Sequence, residues 1–211
     1  NAVANEGRSS VVGLADTLLR GARQLEPRQQ ELVKALHDQA QQMSGMVSNL
    51  LEMVRLQSGE ILLRKEWQPL EEVIGSSLHL MRSRLNGRNV VLSLAPDLPL
   101  LEFDPVLIER VLCNLLENAA KYAPAGDIRV LAEAAGNQVS IAVLDEGDGI
   151  PAGDEERIFE KFVQVRRESS LPGVGLGLAI CKAIINAHNG RIFAQNRVPH
   201  GAQFTFTLPM T

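Results

Sequence analysis

Gly173, Gly175 and Gly177 stand on alternate positions. They are followed at once by Leu178-Ala179-Ile180-Cys181-Lys182-Ala183-Ile184-Ile185, which has helical character. Glycine lets the backbone enter positive φ and lets a ligand come close. The first amides of the helix have no partner within it, and the helix dipole favours an anion there. A phosphate suits such a place, although ordinary tight turns use glycine too. Three other segments add side chains. Asn114 and Asn118, four apart in Asn114-Leu115-Leu116-Glu117-Asn118-Ala119-Ala120-Lys121-Tyr122, share one helix face, and Lys121 extends it. An amide carbonyl is a hard oxygen ligand, suited to a magnesium ion that also carries phosphates. Asp145, in Asp145-Glu146-Gly147-Asp148-Gly149-Ile150-Pro151, ends the apolar run Val139 to Leu144. A carboxylate fixed at a strand end can accept from an exocyclic amine such as that of adenine. Phe159 and Phe162 lie three apart between the glycine segments. Each feature alone has a plainer use: solvated or capping asparagines, an Asp-x-Gly turn, core aromatics. The four in this order argue for one site.

The set resembles the ATP-binding domain of bacterial sensor histidine kinases, whose fold is shared with DNA gyrase B, Hsp90 and MutL. The matching stretches are the N box (Asn114 to Tyr122), the first glycine box (Asp145 to Ile150), the F box (Phe159, Phe162) and the second glycine box (Gly173 to Leu178). The resemblance implies that Asp145 binds the adenine amine, with Gly147, Gly149 and Ile150 in the same box. It implies that Asn118 holds magnesium and that Asn114, Lys121 and Tyr122 contribute to the nucleotide site. Gly173, Gly175, Leu176, Gly177 and Leu178 would close over the phosphates. The segment between Val163 and Pro172 would form a mobile lid, with Arg166 and Arg167 near the phosphates. ATP and Mg2+ are the implied cofactors. In the hydrolysing members of that superfamily the position matching Asn114 is a glutamate that activates water. Asparagine is no general base near neutral pH, so Asn114 fits phosphoryl transfer to a protein better than hydrolysis.

Upstream, Asn49-Leu50-Leu51-Glu52-Met53-Val54-Arg55-Leu56-Gln57-Ser58-Gly59, then Arg64-Lys65-Glu66-Trp67 and Leu70-Glu71-Glu72-Val73-Ile74-Gly75, look like the Kdp-type, potassium-responsive sensor kinases. Glu146 and Asp148 depart from the family by adding negative charge beside Asp145. His188-Asn189-Gly190 replaces a histidine followed by two glycines, a mild change because asparagine tolerates the left-handed conformation. The front departs further. Histidine kinases carry their phosphoacceptor in a stretch like Ser-His-Asp/Glu-Leu-Arg-Thr-Pro-Leu ahead of a Gly-x-Ala-Asp/Glu-x-Leu helix. Gly13-Leu14-Ala15-Asp16-Thr17-Leu18-Leu19 matches the second part, but only Asn5-Glu6-Gly7-Arg8-Ser9-Ser10-Val11-Val12 stands before it, and no histidine precedes His37. The acceptor box is missing from this sequence. A degenerate natural kinase, an engineered deletion and residues omitted from the sequence would each leave this pattern.

The remaining histidines lack a metal-ligand partner at useful spacing. His37 lies in the second helix, where the family places no acceptor. His79 reads as partly exposed, His188 as a cation suiting the end of the glycine-box helix, and His200 as part of a turn. With 21 Lys and Arg against 25 Asp and Glu the net charge is −4 and no basic block occurs, which excludes nucleic acid as a natural partner. Cys113 and Cys181 fall in apolar helical runs, as reduced buried thiols do. No stretch reaches the roughly 20 apolar residues of a membrane span, and no signal peptide is evident.

These residues must be positioned by two kinds of element. One helix runs to about Arg23. A second runs from about Arg28 to Ser58, with Val33, Leu36, Ala40, Met43, Val47, Leu50 and Val54 stepping by three and four as a coiled-coil seam. Such a hairpin either packs within its own chain or pairs with a second copy into a four-helix bundle. Beyond Trp67 the pattern predicts helices over 70–84, 105–121 and 176–188. It predicts strands over 90–94, 128–132, 139–144, 191–195 and 203–208, with Phe204, Phe206 and Leu208 alternating with polar residues. The expectation is an α+β protein. Residues 1–59 form a helical-hairpin dimerisation domain, and residues 66–211 form an α/β sandwich that binds ATP.

By the resemblance, the chain is the cytoplasmic transmitter of an inner-membrane sensor kinase, attached to the membrane only through parts outside this chain. It is a homodimer that moves the γ-phosphoryl of ATP to a histidine and then to an aspartate of a response regulator receiver domain. A nucleotide-binding dimeric signalling module without catalysis is the alternative, and an ATPase of the gyrase and Hsp90 type a further one.

Overall fold

The computed structural model describes residues 62–164 and 175–210, apart from Asn86 and Pro124, together with Glu26, 28–37, 39–40, Met43, Gly45 and Val47. The chain divides into two compact units, Asn1–Val54 and Arg55–Thr211. Every described residue from 28 onward in the first unit is helical. The helix starts where the amides of Gln29 and Gln30 turn back onto the Glu26 carbonyl at 2.9 and 3.0 Å. Leu36, Met43 and Val47 of the expected seam are exposed. Leu50, Val54 and the helix expected up to Arg23 lie outside the described residues.

The second unit is built on a five-stranded sheet in the order β2-β4-β5-β7-β6, with β1 and β3 forming a separate antiparallel pair. β2 (Val90–Leu94) runs parallel to β4 (Ile128–Ala135). β4, β5 (Gln138–Leu144), β7 (Ala202–Pro209) and β6 (Ile192–Asn196) pair antiparallel. Ala135 pairs with Gln138, so Gly136 and Asn137 are the whole turn, and Gly136 takes φ +61° as a two-residue hairpin requires. The sequence pattern anticipated these strands to within a few residues. It missed β1 (Glu66–Gln68) and β3 (Leu101–Phe103), which are three residues each and too short for a period to register.

Among the described residues of this unit three α-helices pack beside the sheet, the first of them through the second. α1 (Leu70–Met81) buries Leu70, Val73, Ile74, Ser77 and Met81, one face at helical spacing. It stops three residues short of the expected end, where the amides of Arg84 and Leu85 both turn onto the Met81 carbonyl. α2 (Pro105–Tyr122) begins with Asp104 as N-cap and proline in the first turn, and buries Ile108, Val111, Leu112, Leu115, Leu116 and Ala119. α3 (Gly177–Ala187) buries Ala179, Ile180, Cys181, Ile184 and Ile185. α2 lies between α1 and α3 and against β5. β7 corrects the expectation of a half-polar strand: Thr205 and Thr207 are buried like Phe204, Phe206 and Leu208. Their hydroxyls are used locally, Thr207 accepting from the Arg191 amide and Thr205 from Gln203. Cys113 and Cys181 are free thiols; Cys181 is buried as expected, whereas Cys113 is only half-buried. Among the described residues no helix is long and apolar enough to cross a membrane.

Candidate functional site

β5 delivers Asp145 to the floor of a cleft between α2 and the end of the sheet. The cleft holds about 670 Å³ of atom-free space, counting the part open to solvent. Asn118 and Tyr122 of α2, Asp145, Gly149, Ile150, Leu178 of α3, and Ala202 and Phe204 of β7 all line it. Apolar walls around a few polar groups are what a flat heterocycle needs. Asp145 is only 4% exposed. Its Oδ1 accepts from the amides of Gly147 at 2.9 Å and Ala202 at 3.1 Å. Its own amide donates to the Ala202 carbonyl at 3.0 Å. Oδ2 accepts from none of the described residues. The carboxylate is thus locked in place by one oxygen and keeps the other for a donor in the cleft.

Two glycines are forced by this packing. A Cβ on Gly147 would meet the Tyr122 carbonyl at 2.6 Å, and one on Gly201 the Asp145 carbonyl at 2.1 Å. Gly149 and Ile150 close the loop against Asn196, whose side chain accepts from the Ile150 amide and donates to its carbonyl, both at 2.7 Å.

Asn114, one turn before Asn118 on α2 and not itself lining the cleft, sits beside the α3 N-terminus. A Cβ on Gly177 would lie 3.0 Å from its Oδ1. Asn114 donates to the Arg110 carbonyl at 3.1 Å, a bond along its own helix that leaves the amide oxygen facing α3. Gly175 takes φ +70° with its carbonyl accepting from the Phe162 amide at 2.8 Å, and a Cβ there would strike the Val163 carbonyl. The chain entering 165–174 and the chain leaving it are therefore pinned together beside the α3 N-terminus. Leu176 is buried and does not line the cleft. Arg166, Arg167 and Gly173 lie outside the described residues. Lys121 stacks over the Tyr122 ring at 4.9 Å. The Asn118 side chain makes no hydrogen bond to any described residue, and among those residues no cluster of three or more His, Cys, Asp or Glu could hold a metal. A single neutral amide oxygen fits a hard cation that arrives already bound to phosphates.

The expected aromatic pair separates. Phe159 is buried, whereas Phe162 is 62% exposed and adopts φ +63°. Glu146 turns out of the loop from Asp145 to Ile150 to meet Arg129 at 3.3 Å and to cover Gly126. Sequence reasoning missed Ala202, Phe204, Asn196 and Arg197. They come from β6, β7 and the residues between them, distant in sequence, and the only local signal was Gly201 in its turn. His188 corrects the expectation of a cation complementing the helix dipole. It is 1% exposed, its Nδ1–H donates to the Ile184 carbonyl at 2.8 Å, and its Nε2 accepts from the Asp104 amide at 3.0 Å. Burial pushes its pKa below the ordinary 6.5. Asn189 takes φ +60°, as expected of the asparagine replacing glycine there.

Fold and site together define an ATP-binding α/β sandwich. Residues 103–211 match the family described as histidine kinase-, DNA gyrase B-, and HSP90-like ATPase, and residues 9–59 match the His Kinase A (phospho-acceptor) domain. The chain belongs to the two-component sensor histidine kinases, of which it carries the transmitter region, and is by family a histidine protein kinase. It is 50% identical over 165 residues to sensor protein KdpD of Escherichia coli (strain K12), covering 78% of this chain and 18% of that protein. The crystal structure of full-length ShkA in complex with AMPPNP superposes with a TM-score of 0.80 at 29% identity, covering 100% of this chain and 45% of ShkA. Histidine kinase ThkA in complex with response regulator protein TrrA gives a TM-score of 0.72 at 23% identity over 100% of this chain and 60% of ThkA, a likeness of fold alone.

Proposed function

We propose that this chain binds ATP with magnesium as the cytoplasmic transmitter of a Kdp-type, potassium-responsive sensor kinase. The observation that carries this reading is Asp145, buried at the cleft floor with Oδ1 committed to two amides and Oδ2 left for the adenine amine. Tyr122, Ile150 and Phe204 flank the ring, Asn118 holds the phosphate-bound magnesium, and Asn114 and the α3 N-terminus face the phosphates. Arg166 and the glycines from Gly173 on complete the closure. Magnesium, when bound, neutralises phosphate charge, and the chain's own residues contribute position and electrostatics. Residues 1–59 form the dimerisation hairpin and 66–211 the catalytic domain. The exposed Leu36, Met43 and Val47 support a seam filled by a second copy. The family's phosphorelay ends on the receiver domain of a response regulator.

Absence of a histidine before His37 favours one second reading, a nucleotide-binding dimer that signals without phosphorylating itself. A gyrase-type ATPase fits less well, because Asn114 presents an amide where hydrolysis needs a base. Labelled ATP separates the three. The chain alone should bind it without forming phosphohistidine, since the acceptor nitrogen must lie about 3–3.5 Å from phosphorus and in line. A heterodimer partner carrying an acceptor histidine should become phosphorylated. Phosphohistidine on the chain alone that is lost in His37→Gln would overturn the reading of the acceptor. Steady release of inorganic phosphate would favour the ATPase.

A further inference from the structure

The loop from Asp145 to Ile150 is held at both ends by two consecutive residues, Asn196, the last of β6, and Arg197, which follows it. At its start, the Arg197 guanidinium donates to the Asp145 carbonyl at 2.7 Å. At its end, the Asn196 amide takes both backbone groups of Ile150, each at 2.7 Å. The fit leaves no slack. A Cβ on Gly149, at φ +79°, would meet Asn196 Oδ1 at 2.5 Å. Gly201 presses on the same Asp145 carbonyl that Arg197 holds, and its own carbonyl accepts from the Arg197 amide at 2.9 Å. Neither Asn196 nor Arg197 lines the cleft. Asn196 ends β6, with Ala202 as its partner across the β6–β7 ladder, and Ala202 is the residue whose amide holds Asp145 Oδ1.

We propose that Asn196 and Arg197 are positioning residues for base selection, fixing the Asp145 carboxylate so that it accepts from adenine and rejects guanine. This rests on Asp145 reading the base. Adenine offers an amine where guanine offers a carbonyl oxygen, so a rigid carboxylate attracts one and repels the other. A carboxylate free to swing by about an ångström could accept other donors of guanine, and discrimination would fall. The pair contributes through geometry, so its loss should be felt in selectivity more than in phosphate affinity.

The test measures dissociation constants for ATP and GTP on the full 211-residue chain, with thermal midpoints alongside. Wild type should prefer ATP, and Asp145→Ala should erase the preference. Asn196→Leu and Arg197→Ala should each weaken ATP by about tenfold while changing GTP by less than about twofold. Arg197→Lys, which keeps a donor for the Asp145 carbonyl, should restore part of the ratio. A merely structural role would lower the thermal midpoint and the bound fraction but leave the ATP-to-GTP ratio of the folded protein unchanged, and that result overturns the proposal. If wild type shows no preference, or Asp145→Ala retains it, the reading of Asp145 fails and takes the proposal with it. If Asp145→Ala loses the preference but the Asn196 and Arg197 variants keep it, only the positioning role is wrong.

Discussion

Asp145 divides its work between two oxygens, one structural and one presented to the cleft, and neither use is visible from composition. Its place at the end of an apolar strand was legible, because Val139 to Leu144 reads as a strand and Gly147 follows at turn spacing. Its hydrogen bond to the Ala202 amide was not, because Ala202 lies 57 positions away. His188 shows the opposite outcome. A histidine at a helix end looks like a dipole-complementing cation, yet burial and an accepting Nε2 require the neutral ring. An imidazole whose folded pKa lies below its unfolded value stabilises the fold fully above about pH 6.5, and that stability is lost as pH falls through the folded value. Nearby Lys65 acts in the same direction as burial, while the Ile184 carbonyl and Asp104 oppose it. Thermal melts from pH 8 down to pH 5 should therefore show a loss of stability below pH 6.5 that is smaller in His188→Gln, which cannot protonate there. Equal pH slopes in the two proteins would contradict the neutral assignment.

At the scale of elements, α2 and α3 are joined by the backbone amide of Asp104, the N-cap of α2, donating to the imidazole of His188 at the end of α3. Asp104 caps α2 by accepting from the Leu107 amide at 3.1 Å, and its second oxygen accepts from the Arg64 amide at 2.9 Å. Its own amide donates to His188 at the end of α3. The cap was half visible in the sequence as Asp104-Pro105 before an apolar helical run. The ties to residues 40 and 84 positions away were not, which is why helix existence was readable and helix docking was not. Asp104→Ala should destabilise the second unit by about 1–2 kcal/mol through the lost cap alone, with a further loss from the orphaned Arg64 amide. Chemical denaturation followed by circular dichroism would measure it. An unchanged midpoint would mean that the cap contributes nothing. The two short strands β1 and β3 were unreadable for the same reason as the docking, since three residues carry no period and their register comes from tertiary pairing.

At the scale of the molecule, one chain carries a helical region of the phospho-acceptor family and a nucleotide-binding sandwich. Replacing Val47 and Leu50 with glutamate would bury unpaired charge in a paired seam, so the variant should sediment as a monomer where the parent chain is a dimer. A parent chain already monomeric at high concentration would contradict the pairing. Everything else depends on the sandwich being an adenine-nucleotide site read by Asp145. Isothermal titration of ATP into the full chain and into Asp145→Ala tests that directly. The parent chain should bind with micromolar-to-millimolar affinity. Removing the buried acceptor should weaken it by about 1–3 kcal/mol, which is roughly fivefold to a little over a hundredfold. Equal affinity of the two proteins for ATP would contradict the reading of Asp145.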